Sequence, residues 1–204
     1  MSTRFVFLAS KSPRRSELLR QIGVAHEVVT AAGDEGVDET PHDGEPPDAY
    51  VVRLARSKAE AGWAHLCSAH ATNNAPPHPV LAADTTVAIG DRILGKPGSD
   101  ADARAMIAAL SGRTHHVYTA IAVASSAGIR TALSRSAVTM RTIPPDEIAR
   151  YVAIGESADK AGAYAIQGHA AMFVERIEGS YSGVMGLPLF ETANLLSDAG
   201  LVIP

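Results

Sequence analysis

The sequence predicts a mixed α/β fold, with one sheet of parallel and antiparallel strands flanked by helices. Three observations lead there. Residues 5–30 read strand, basic loop, helix, strand, a βαβ-type opening. Apolar runs at 80–89 and 92–94 are joined by Gly90-Asp91, a good two-residue hairpin turn. Two long strand-like runs, 114–124 and 129–143, meet near Ala127-Gly128, and amphipathic helices separate the strand pairs.

In chain order, residues 5–9 predict a short buried strand. Ser12-Pro13 opens a helix, with Ser12 as its cap and Pro13 in the first helical position. Leu18, Leu19 and Ile22 form its apolar face, and Gly23 ends it. Residues 24–30 follow as a second strand, and 34–47 as an acidic loop rich in Gly and Pro. Residues 48–63 form an amphipathic helix that frays from His65 into a polar, Pro-rich loop ending at 79. The loop histidines fit no compact ligand set and read as solvent-exposed. Residues 99–110 predict a helix with Ser99 and Asp102 as a capping pair; Ala103, Met106, Ile107 and Leu110 are its face and Gly112 its stop. A helix at 144–154 turns Ile148, Tyr151 and Val152 inward. Residues 172–177 and 181–185 read as a further hairpin. A closing helix at 188–199 carries Leu189, Thr192, Ala193 and Leu196 on one face.

A chain of 204 residues suits one large domain or two closely joined lobes. Hydrophobic residues at 46% and charged residues at 20% support a real core. A net charge of −4 argues against a protein that coats nucleic acid, but leaves room for a local cationic pocket. The lone cysteine, Cys67, makes neither an internal disulfide nor a zinc cluster and reads as a small apolar filler. Residues 5–9 are too short for a signal peptide, and no stretch spans a membrane, so a cytoplasmic setting is the default.

The segment Ser10-Lys11-Ser12-Pro13-Arg14-Arg15 puts two hydroxyls and three cations where a strand ends and a helix begins. Free backbone N–H groups there attract anions, and positive side chains near a helix N-terminus oppose its dipole unless an anion is bound. Paired arginines can chelate phosphate oxygens. A solvated basic turn is the plainer alternative. Lys58 ends the helical stripe Val51, Leu54, Ala55, Lys58, where it either snorkels or serves a site. Lys96 sits in Gly95-Lys96-Pro97, a stiff turn that could aim it. Asp84 lies inside a ten-residue apolar strand, where aspartate is depleted and a buried carboxylate needs a partner or a metal. It either satisfies a neighbouring cation or activates water. Asp38-Glu39 offers oxygen ligands of the kind Mg²⁺ takes, in competition with nearby Asp34 and Glu35. The small-residue run 159–168 permits close backbone approach to a ligand, and its Gln167 offers both donor and acceptor.

Taken in order, LASKSPRRSELL (8–19), VDET (37–40), LARSKA (54–59), AADTTV (82–87), LGKP (94–97), LSGRTHHVYT (110–119), DKAGAYAIQG (159–168) and VMGLPL (184–189) resemble the Maf family along nearly the whole chain. The resemblance implies a nucleoside triphosphate pyrophosphatase that cuts between the α and β phosphates with a divalent metal, Mg²⁺ or Mn²⁺. It implies Asp84 as proton acceptor, and Ser10, Arg14, Arg15, Lys58 and Lys96 as phosphate handlers. Glu39 and Asp84 become the metal-site carboxylates. Arg14, Thr85 and Gln167 follow the pattern of the family's dTTP/UTP branch and so become the specificity set. One departure, in the loop 31–36, brings in an extra acidic pair beside the metal-site candidates. The implied architecture is a two-lobed mixed sheet with a central cleft, like the inosine-triphosphate pyrophosphatases, formed by residues 1–204 as one domain. A homodimer is implied as well. The rival reading is a nucleotide-binding regulator of cell division with little turnover.

Overall fold

The computed structural model describes residues 5–29, 37–69 and 78–203. β1 (Phe5–Leu8) passes through α1 (Pro13–Gln21) into β2 (Ala25–Val28), and the two strands pair in parallel. The predicted strand end at Thr30, the acidic pair Asp34 and Glu35, and His70 lie outside the described residues. After α2 (Pro47–Ala69), β3 (Val80–Ile89) returns parallel to β1 and then turns back at Gly90 into β4 (Arg92–Leu94). α3 (Asp100–Leu110) leads to the long antiparallel pair β5 (Thr114–Ser125) and β6 (Gly128–Met140). α4 (Pro145–Ala153), β7 (Val174–Glu178), α5 (Tyr181–Met185) and α6 (Leu189–Asp198) complete the order. The seven-stranded sheet runs β2-β1-β3-β5-β6-β7, with β4 beside β3. This is the mixed sheet flanked by helices that the sequence predicts.

Strand alternation divides the core between the two faces of the sheet. On one face Leu81, Ala83, Ile121 and Val123 pack on Leu18 and Leu19 of α1 and Leu195 and Leu196 of α6. On the other, Val80, Ala82, Ala120, Ala122 and Ala124 meet Val51, Ala55 and Ala59 of α2. That second face is nearly all alanine, so α2 lies close to the sheet. Gly62 marks the tightest approach: a Cβ there would sit 3.0 Å from Val80 Cγ1. A third cluster joins Val87, Val117 and Met140 of the sheet to Ile107 of α3, Tyr151 of α4, Tyr164 and Phe173.

Several local readings need correction. Residues 181–185 form the helix α5, and the predicted hairpin with 172–177 does not exist; β7 pairs instead with β6. Gly179 takes φ +126°, with no room for a Cβ against Ser136, and Ser180 Oγ then accepts from the Gly183 N–H at 3.0 Å to cap the helix. Five residues of apolar alternation could not distinguish the two outcomes. Ser12 stands at the N-cap of α1, but its side chain makes no cap bond; its N–H donates to Ser10 Oγ at 3.2 Å. α2 runs on to Ala69 because Leu66 continues the buried stripe. Cys67, next to it, is exposed and fills no core position.

Candidate active site

Asp84 and Thr85 are consecutive on β3, so they leave opposite faces of the sheet. Asp84 shares its face with Ala82 and points toward α2. There Lys58 Nζ lies 2.7 Å from Asp84 Oδ1 and 2.6 Å from Glu39 Oε1. The lysine is buried, so it does not snorkel: its ammonium ends between two carboxylates. Burial disfavours that charge, but Asp84 and Glu39 outweigh it and hold Lys58 above the ordinary lysine range. Burial likewise pushes the Asp84 carboxyl above the usual carboxylate range, against the pull of Lys58 and Arg15.

Glu39 reaches this point because α2 grips the backbone on either side of it. Arg53 makes a forked ion pair with Glu45, both contacts at 2.7 Å. It also donates to the Thr40 carbonyl at 3.0 Å and the Asp38 carbonyl at 3.3 Å. Tyr50 Oη donates to the Glu39 carbonyl at 2.9 Å. Tyr50 is eight residues before Lys58 on the same helical stripe, so periodicity could have found it. Arg53 lies off that stripe and left no such signal.

Thr85 faces the basic loop. Arg15 Nη2 donates to Thr85 Oγ1 at 3.3 Å, Nη1 to Ser10 Oγ at 2.9 Å and Nε to the Gly186 carbonyl at 2.9 Å. No acidic residue occupies the first turn of α1, so Arg14 and Arg15 add to the positive end of its dipole. Across the cleft the segment 159–168 packs on the strand–turn that carries Lys96. The Gly162 N–H donates to the Gly95 carbonyl at 3.0 Å. Gly162 has φ +69°, and a Cβ on it would strike Val87 at 2.9 Å, so only glycine fits. Ala163 follows at φ +60°, a conformation that costs a non-glycine residue about 1 kcal/mol or more. Beyond Gln167, the Glu156 carboxylate accepts from the His169 N–H at 3.0 Å and anchors the chain.

These segments enclose a cleft of about 610 Å³. Ser10, Arg14, Arg15, Glu39, Lys58, Asp84, Thr85, Lys96 and Gln167 all line it, so the nine residues given roles by the family resemblance come to one place, while Asp38 stays outside it. Lys11 of the basic loop lines it too, as do Lys160, Tyr50 and Tyr164, which have no role assigned from sequence. Lys160 pairs with its neighbour Asp159 at the rim. Six cationic and three acidic side chains line the cleft, an excess of three positive charges on a chain whose net charge is −4. Such a concave cationic site draws in and holds an anion.

Glu39 and Asp84 are also a test of metal fitness. Two carboxylates converge within hydrogen-bond reach of one cation, and Mg²⁺ is commonly held by one or two carboxylates plus water and substrate phosphates. Among the described residues no cluster of three or more His, Cys, Asp or Glu side chains could form a complete protein cage. The residues present fit a cation whose coordination a phosphate completes.

Behind Tyr164 lies His115, fully buried, its Nε2 2.8 Å from Tyr164 Oη. Among the described residues its Nδ1 has no partner. Burial lowers the imidazole pKa to about 4, so it is neutral in the folded protein. An unfolded histidine titrates near 6.5. The folded value is depressed, so this contribution is present above pH 6.5 and is lost as pH falls toward 4. Between pH 7 and 4.5 the wild type should lose about 2 kcal/mol more unfolding free energy than His115→Gln. Urea unfolding of both proteins at the two pH values checks this; equal losses would rule it out.

The family described as Maf-like protein matches residues 5–199. The chain is 53% identical over 200 residues to the dTTP/UTP pyrophosphatase of Aromatoleum aromaticum, covering 96% of this chain and 95% of that one. It is 55% identical to the protein of that name from Cupriavidus metallidurans, covering 98% of each. With the one from Methylobacillus flagellatus it shares 54% identity, covering 98% of this chain and 94% of the relative. The solved structure of the Staphylococcus aureus Ham1 protein aligns at a TM-score of 0.48 and 15% identity, covering 83% of this chain and 90% of that one.

Proposed function

The chain belongs to the Maf family, and from that premise we propose that it hydrolyses dTTP and UTP to the monophosphate and pyrophosphate. The observation that carries this reading is the cationic cleft with Asp84 at its floor. A triphosphate bound among Arg14, Arg15, Lys96 and Ser10 has its charge offset where water must approach an anionic phosphorus. One cation about 4 Å away contributes about 4 kcal/mol at an effective dielectric of 20.

Asp84 accepts the proton of the attacking water, and its burial makes it a stronger base than an exposed aspartate. The water oxygen bonds to the α-phosphorus, and the bond to the bridging oxygen breaks. Pyrophosphate leaves with its charge held by the basic side chains. Lys58 favours the ionised form of Asp84 and holds both carboxylates in place. Glu39 and Asp84 would hold a divalent cation, Mg²⁺ or Mn²⁺, which when bound neutralises phosphate charge and makes water more acidic. Arg14, Thr85 and Gln167 set the choice of base. A regulator that binds nucleotide without turnover has no use for a buried carboxylate raised toward a base's range. The family match over residues 5–199 supports a single catalytic domain, which we read as two lobes around the cleft.

The test is an assay of purified protein with dTTP, UTP, CTP and GTP and either metal, following monophosphate and pyrophosphate. Equimolar dTMP and pyrophosphate from dTTP are expected; dTDP and orthophosphate would overturn α–β cleavage. In the same assay Gln167→Glu, which loses the amide donors, should lower the preference for dTTP over GTP about 10-fold. An unchanged preference removes Gln167 from the specificity set.

A further inference from the structure

Thr119 stands directly opposite Thr85 on β5 and is buried. Its Oγ1 lies 2.7 Å from the Gly183 carbonyl and 3.0 Å from Thr85 Oγ1. A threonine hydroxyl carries a single proton. The Thr119 hydroxyl donates to the Gly183 carbonyl, the shorter contact, and also toward Thr85 Oγ1, so the one proton is shared between two acceptors. Thr85 Oγ1 also accepts from Arg15 Nη2 at 3.3 Å. Thr85 Oγ1 therefore accepts from both Arg15 and Thr119, and Thr119 ties it to the Gly183 carbonyl. Gly183 lies in α5, and Gly186 at its C-terminal end accepts from Arg15 Nε. The guanidinium is thus held at two points through one helix, and its Nη1 donates to Ser10 Oγ.

We propose that Thr119 is a positioning residue for nucleotide binding: it anchors the Thr85 oxygen that accepts from Arg15 and so fixes the plane of Arg15 against the triphosphate. The proposal rests on the reading of the cleft as a nucleotide site. It has a consequence for Thr85. With its oxygen accepting from Arg15 and Thr119, Thr85 keeps its own proton to donate to the ligand.

The experiment measures the Kd of α,β-methylene-dTTP by calorimetry, with Mg²⁺, for the wild type, Thr119→Val, Thr119→Ser and Arg15→Lys, and for Thr119→Val in the Arg15→Lys background. Thr119→Val should weaken binding about 10-fold, and Thr119→Ser should stay within about twofold of wild type. In the Arg15→Lys background, where the fork is gone, Thr119→Val should add less than about twofold. A thermal midpoint for each variant separates folding from binding. If Thr119→Val does not fold, Thr119→Ala, which leaves room for water at the Gly183 carbonyl, carries the same comparison. Wild-type Kd in Thr119→Val, or an equal loss in both backgrounds, overturns the positioning role. Wild-type dTTP turnover, run in parallel, tests the parent reading separately, since an inactive protein that binds the analogue still reports on Thr119. Failure to bind the analogue at all overturns both.

Discussion

Asp84→Asn is expected to lower kcat for dTTP about 10³-fold, within the range that a positioned general base contributes. The fold should survive. Asparagine keeps the volume, and its amide oxygen can still accept from Lys58. Lys58 also keeps Glu39 at 2.6 Å, so no buried ammonium is stranded. Burial already makes the ionised form of Asp84 costly, so removing the charge offsets part of the lost pairing. The thermal midpoint should therefore move little. Raising Mg²⁺ distinguishes two ways the variant could fail. A proton acceptor cannot be replaced by more cation, so activity should stay low at saturating metal. Recovery at high Mg²⁺ would make Asp84 a metal-holding group alone, and near-normal kcat would remove it from the mechanism.

The sequence made Asp84 conspicuous because an acidic residue interrupts a ten-residue apolar strand. It made Lys58 visible because helical spacing put a charge at the end of an apolar stripe. Neither feature said that the two would meet. That depends on the alanine face of β3 and β5, which lets α2 approach the sheet. Strand propensity gives such alanines no weight, yet larger side chains there would hold the ammonium away from the carboxylate. The basic loop was legible as a helix start with the wrong sign of charge. The bonds from Arg15 to Thr85 and to Gly186, 70 and 171 residues away, were not, because they follow from the sheet register and the turn at α5. The misreading of 181–185 has the same origin: the choice between strand and helix was made by Gly179 and Ser180, not by the apolar pattern.

Lys58→Met is expected to destabilise the protein by about 3–5 kcal/mol at pH 7, the usual result of removing one partner of a buried ion pair. The cost belongs to Asp84. Glu39 has a side chain 47% exposed and can be solvated, whereas the Asp84 side chain is 12% exposed. Without the ammonium, burial raises the folded-state pKa of Asp84 still further above its unfolded value. A group raised in the folded state contributes stability below its unfolded pKa, and that contribution disappears as pH rises through the folded pKa. The deficit of Lys58→Met should therefore be greatest above neutrality and shrink as the solution is acidified and Asp84 takes up a proton. The double variant Lys58→Met, Asp84→Asn leaves no buried charge unpaired, so it should recover most of the lost stability while remaining inactive. Urea unfolding of the wild type, both single variants and the double variant at pH 5, 7 and 8.5 closes the cycle. A loss under about 1 kcal/mol at pH 7, or no recovery in the double variant, would overturn this reading. The ion pair would then be an incidental contact and not the device that keeps a carboxylate charged at the floor of the cleft.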